Sequence, residues 1–244
     1  LTDPWLRRAQ TLPRDPAAGS SLLGDDNATA PYHISHAVIS ALVSAVDHLD
    51  GLRQLITRAQ VIHGRVPFTL LRAALENASI AVWLLAPQSR NERVFRRLRL
   101  QWADFSDGEN ARALTDVPAN KSLEERKQKL QDLARARGLE QERIAQIAAR
   151  PVAWSTIVGL AAEEGTPLDR NDATLIWMLC SGIAHGRTWA ALNLLDREEV
   201  SRAAERVLHV KLTASEKNIL VIAQCTAAMI QAGWSLLDQR SLAP

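Results

Sequence analysis

The sequence predicts an all-α protein: a single multi-helix bundle over residues 31–244, preceded by a flexible N-terminal arm over residues 1–30. Three observations predict it. Apolar residues recur at three- and four-residue steps through most of the chain, the mark of helices with one buried face. Alanine, leucine and arginine dominate, and all three are strong helix formers. Alternating apolar runs bounded by turn pairs such as Asn-Gly are absent, so no strand is predicted. Apolar residues make up 47% of 244, enough to bury a sizeable core.

The elements follow in order. Pro4, Pro13, Pro16 and the run AAGSSLLGDDNATA give residues 1–30 a turn-forming composition, with one short turn expected around Trp5. Pro31 suits a first helical turn. Ile34, Val38, Leu42, Val46, Leu49, Leu52 and Ile56 then carry a long helix to about residue 62. Pro67 opens a second, FTLLRAALENASIAVWLLA, which stops at Pro87, and RNERVFRRLRLQWADF is a third, ending near Asp107-Gly108. Ser122 with Glu125 is a capping-box signature for a charged helix that ends at Gly138. A short helix is expected before Pro151, then WSTIVGLAAEEG. Asp169 or Asn171 caps a long helix through DATLIWMLCSGIAHGRTWAALNLL. Thr213 with Glu216 repeats the capping-box spacing and opens the last helix.

Composition removes several classes. Basic residues (29) exceed acidic ones (27) by two, so this is not a globally basic nucleic-acid binder, although a local patch is allowed. Cys180 and Cys225 are far apart, with no CxxC spacing, and read as two buried thiols of a reducing compartment. No apolar run reaches membrane-spanning length, and no signal-peptide pattern opens the sequence at Leu1. No membrane partner and a cytoplasmic location are the resulting expectations.

Polar residues meet the apolar faces in four places. His33, His36, Ser40, Ser44 and Asp47 form one helical stripe, Arg72 and Glu76 stand four apart, as do Arg93 and Arg97, and so do Ser181 and His185. Residues at i and i+4 share a helix face, so each helix offers a polar pair able to point inward. Arg72 and Glu76 read equally well as an ion pair that fixes helix order. Arg90, Arg96 and Arg99 read as solvated surface. Gly182 and Gly186 flank His185 in CSGIAHGRTWA and predict a close approach of a neighbouring helix or a ligand.

Three chemistries can be set against these residues. A serine hydrolase is disfavoured, because Ser181 lies mid-helix and no GxSxG elbow exists. A bundle metal site would draw on His36, Asp47, Glu76 and His185, but ExxH pairs and HExxH are missing, so no metal and no cofactor are expected. Helical ribonucleases of the HEPN type use Arg-x(4–6)-His. Arg58 with His63 and Arg202 with His209 match, which is about the number chance supplies in this composition.

The segments TLLRAALENASIAVWLL, ERVFRRLRL and LCSGIAHGRTWA resemble a group of uncharacterised, largely actinobacterial all-helical proteins, a domain of unknown function with HEPN-like features. The matching residues are Arg72 and Glu76, the arginine-rich helix, then Ser181, His185 and Gly186. The resemblance implies a helical bundle and, by analogy, RNA-directed activity. The expectation is a polar site that takes a phosphate-bearing ligand, RNA or a nucleotide-like metabolite. Arg72, Arg93 and Arg97 would bind the anion, with His36 and Asp47 beside it, while His185, Glu76 and Ser181 would be the reactive or orienting groups. A non-enzymatic interaction module and a metal-dependent hydrolase stay open beside it, as does a homodimer.

Overall fold

A computed structural model describes residues 3–11, 15–204 and 207–243, apart from the side chains of residues 202–208. Among the described residues the order is α1 (Asp3–Gln10), α2 (Ser21–Thr29), α3 (Ile34–Thr57), α4 (Val66–Leu85), α5 (Arg90–Arg112), α6 (Leu123–Ala136), α7 (Gln141–Gln146), α8 (Trp154–Gly165), α9 (Arg170–Ala184), α10 (Thr188–Leu194), β1 (Asp196–Ala204), β2 (Val207–Thr213) and α11 (Glu216–Ser241). The protein is predominantly all-α, as its periodicity predicts.

The α4 helix is the axis of the bundle. Its apolar residues surround it almost completely, which is the pattern of a helix buried on all sides. Phe68, Leu71, Leu75, Leu84 and Leu85 are fully buried. Helices α3, α8, α9 and α11 pack around it. By length and composition α4 and α11 could each cross a membrane, which corrects the expectation that no apolar segment reaches that length. In this fold α4 is mostly enclosed, whereas α11 packs along one face.

Two cores flank α5. Arg93, Arg96 and Arg97 face the main bundle, while Val94, Phe95 and Leu98 close a smaller core with Leu130 of α6 and Ile144 of α7. Arg96 was expected at the surface. It is buried because α4 ends beside it: its guanidinium donates to the Trp83 carbonyl and to Glu164 and Glu92.

The N-terminal arm is corrected too. Residues 3–10 and 21–29 are helical, Trp5 and Leu22 join the main core, and Asp25 is fully buried. Turn-rich composition concealed this because α2 is stabilised by tertiary partners. Ser20 caps it, accepting from the Leu23 N–H. Pro13 lies outside the described residues.

The strands are a second correction. β1 and β2 pair antiparallel with two register irregularities. VLHVKLT does alternate, with Leu208, Val210 and Leu212 apolar between polar residues, but DREEVSRAA does not and no Asn-Gly turn joins them, so only half of the hairpin signal is present.

Helix ends follow the predicted chemistry in part. Ser122 and Glu125 form the reciprocal capping box, and Asp169 accepts from the N–H groups of Asn171 and Asp172. Thr213 instead ends β2, and Ser215 is the N-cap of α11. The long helix expected to run from its cap at Asp169 or Asn171 through Leu195 breaks at His185-Gly186. Gly186 has φ +67°. Its N–H donates to the Ile183 carbonyl, and the Arg187 N–H donates to the Gly182 carbonyl. That bonding pattern is a Schellman stop with glycine in the left-handed position.

Candidate functional site

The stop at Gly186 decides the fate of the first candidate. The chain turns back so that α10 lies on the end of α9. A Cβ on Gly182 would stand 2.5 Å from the Ala190 Cβ and 3.1 Å from the Trp189 ring. Gly182 therefore allows a close helix contact, and Gly186 ends the helix. His185, the C-cap of α9, is exposed, and Ser181 is half-buried. Cys180 is buried, and burial pushes its thiol up to about 12. It is a packing residue.

Glu76 is held elsewhere. Arg72 Nε donates to Glu76 Oε1 at 2.8 Å, and Trp177 Nε1 donates to the same oxygen at 2.7 Å. The pair thus fastens α4 to α9. Trp177 precedes His185 by eight residues, about 12 Å along a helix axis. The inward convergence of Arg72, Glu76 and His185 is corrected accordingly: Arg72 and Glu76 pair at the α4–α9 contact, and His185 lies at the exposed end. His36 and Asp47 are exposed on α3, on the face away from its buried stripe. Among the described residues no group of three or more His, Cys, Asp or Glu side chains could hold a metal ion. Arg58 and His63 are both exposed beyond the end of α3, and the Arg202 side chain lies outside the described residues.

The arginines of α5 divide into two environments. Arg93 is 2% exposed and closed on itself: it donates to both Asp25 oxygens (2.6 and 2.9 Å), to Ser21 Oγ, and to the carbonyls of Pro87 and Gln88. Arg90 adds a bond to Asp25, and Arg240 donates to the carbonyls of Leu85 and Pro87. Burial, with Arg93 beside it, lowers the Arg240 pKa, and Asp25 offsets part of this. The last carbonyls of α4 need donors because a helix cannot satisfy them internally. Three guanidiniums around one carboxylate are the result, linking α2, α4, α5 and α11.

One turn later the environment changes. Arg97 is 8% exposed, yet no carboxylate forms an ion pair with it among the described residues. It donates to Gln101 Oε1 at 2.7 Å and weakly to the His33 carbonyl at 3.4 Å. Burial pushes its pKa down to about 10, and Asp104, Asp26 and Tyr32 offset only part of that. Arg97 borders a cavity of about 510 Å³ between α3, α4, α5 and the start of α8. Trp83, on the same wall system, is 3% exposed, and its Nε1–H has no hydrogen-bond partner. Ser40, Asn77 and Arg99 also line the cavity. The Arg99 guanidinium braces its rim by donating to the Arg150 carbonyl at 2.9 Å. The first turn of α8 borders the cavity as well, and its N-cap, Ala153, supplies no side-chain acceptor. Helix N-termini carry unpaired N–H groups and a positive partial charge.

Buried donors without acceptors are rare and costly. Here Arg97, with no direct ion pair, borders a cavity together with the Trp83 ring and the first turn of α8, while the Trp83 N–H itself is enclosed. Sequence reasoning reached Arg97 through its spacing from Arg93. It missed Trp83, because a tryptophan in an apolar helix reads as core, and nothing local reports whether its N–H finds a partner. No protein-family model, curated protein or solved structure matches the chain.

Proposed function

We propose that this protein binds a small ligand through a phosphate or carboxylate group, in the cavity between α3, α4, α5 and α8. One observation carries the reading: Arg97, buried and with no direct ion pair among the described residues, borders a cavity of about 510 Å³. An unsatisfied buried donor costs about 1–3 kcal/mol. An oxyanion in the cavity would give the Arg97 guanidinium a charge-assisted partner, the stronger kind of hydrogen bond. The start of α8 favours negative charge in the same direction. Arg93 and Arg72 do not take part, since Asp25 and Glu76 already occupy them.

Binding rather than catalysis is the function these groups support. Neither Ser181 nor His185 lines the cavity. Amide and indole proton–nitrogen spectra during titration with inorganic phosphate, and separately with acetate, test the reading. The expected result is a shift of the indole proton of Trp83, whose side chain borders the cavity, with affinity at least about tenfold weaker in Arg97→Met. If neither ion moves the indole resonance of the parent, the proposal is lost.

A further inference from the structure

We infer that the ligand of this cavity carries a single anionic group on an aromatic body, and that Trp154 is the surface on which the ring stacks. The inference rests on the anion-binding reading above and adds the substrate class. A cavity of about 510 Å³ is far larger than an inorganic oxyanion requires; cavities of this size hold small organic molecules. Away from Arg97 and Trp83 much of its wall is apolar: Ala37, Ala41, Ile80, Leu100, Val152 and Ile157. The ligand therefore has a nonpolar portion.

Trp154 makes that portion aromatic. It is the first residue of α8, borders the cavity and is 36% exposed. No ring contact or cation–π contact engages it among the described residues, although Trp83 and Trp234 each have one. An indole left open at the edge of a cavity is a flat apolar surface with a strong preference for another ring.

The opposite sign of charge limits the ligand to one anionic group. Asp104 and Asp107 also border the cavity and are exposed. Asp104 accepts from Gln101, which in turn accepts from Arg97, so one carboxylate already stands beside the guanidinium, and Asp107 follows on α5. Carboxylates there repel a second phosphate, so a polyphosphate or a nucleic-acid strand does not fit the charge pattern. An aryl phosphate or an aromatic carboxylate does, its oxyanion at Arg97 and its ring at Trp154.

Calorimetric titration of the full chain with inorganic phosphate, butyl phosphate, phenyl phosphate, acetate, butyrate and benzoate tests this. In at least one head-group series the aromatic member should bind about tenfold more tightly than its aliphatic counterpart. Whether phosphate or carboxylate is the true head group follows from which series binds more tightly. Trp154→Ala should remove the aromatic advantage while leaving affinity for the simple ion unchanged, and Trp154→Phe should retain most of it. Aliphatic and aromatic members binding equally, with the simple ions still bound, would overturn this inference and leave the anion-binding reading standing. So would an aromatic advantage that survives Trp154→Ala. If none of the six binds, both readings are lost together.

Discussion

Arg93 and Arg97 stand on one face of α5, four residues apart, and both are more than nine-tenths buried. Around Arg93 the chain supplies everything a buried guanidinium needs: a carboxylate from α2, a hydroxyl, and carbonyls from the end of α4. Around Arg97 it supplies an amide oxygen, a distant carbonyl and a cavity. The difference teaches that burial of a charge says little by itself. Burial with its partners is architecture, and burial beside an empty acceptor position is a candidate site.

The largest effect that sharpens this contrast is on stability. Asp25→Ala leaves Arg93 buried with no ion-pair partner and should destabilise by roughly 3–5 kcal/mol in urea unfolding. Arg97→Met removes a buried charge that has no direct ion pair and that Asp104 and Asp26 compensate only in part, so it should be neutral or stabilising. Equal losses from the two variants would break the comparison.

The α9–α10 turn is closed in the same sense as the Arg93 cluster. Gly182→Ala should cost roughly 1–3 kcal/mol through the clash with Ala190 and Trp189. Gly186→Ala should cost roughly 1–2 kcal/mol because its φ is left-handed. His185→Ala should change stability by less than about 0.5 kcal/mol and leave phosphate affinity untouched. A loss of phosphate binding in His185→Ala would move the site back to α9.

The smallest effects are on pH dependence, and they have opposite signs. Glu92 is partly desolvated, but Arg143 and Arg96 outweigh this and hold its carboxyl below its ordinary 4.5. A depressed carboxylate stabilises the fold above that value and loses its contribution as pH falls through the lowered pKa. Glu92→Gln should therefore flatten the acid limb of a stability profile. Arg97 is a base whose folded pKa is depressed to about 10 from 12.5. Its cost to the fold is present below about 10 and relieved above it. The stability difference between the parent and Arg97→Met should shrink as pH rises through 10, and a difference constant with pH would contradict the unpaired environment.

The sequence by itself determined the helical class, because the period of α3, α4 and α8 and the caps at Ser122 and Asp169 act within one or two turns. It also pointed to Arg97, whose spacing from Arg93 is a local fact. It did not reveal α2, whose buried Asp25 makes sense only once α5 lies against it, nor the β1–β2 pairing, in which β2 alternates but its partner strand does not. It favoured Ser181 and His185 because glycines beside polar residues look like a ligand approach. The same letters spell a helix stop when the next helix folds back. Only tertiary structure decided which polar groups found partners. A hydrogen bond is a meeting of two distant segments, so Arg93 and Arg97 are alike in sequence and become different when α2, α4 and α5 pack.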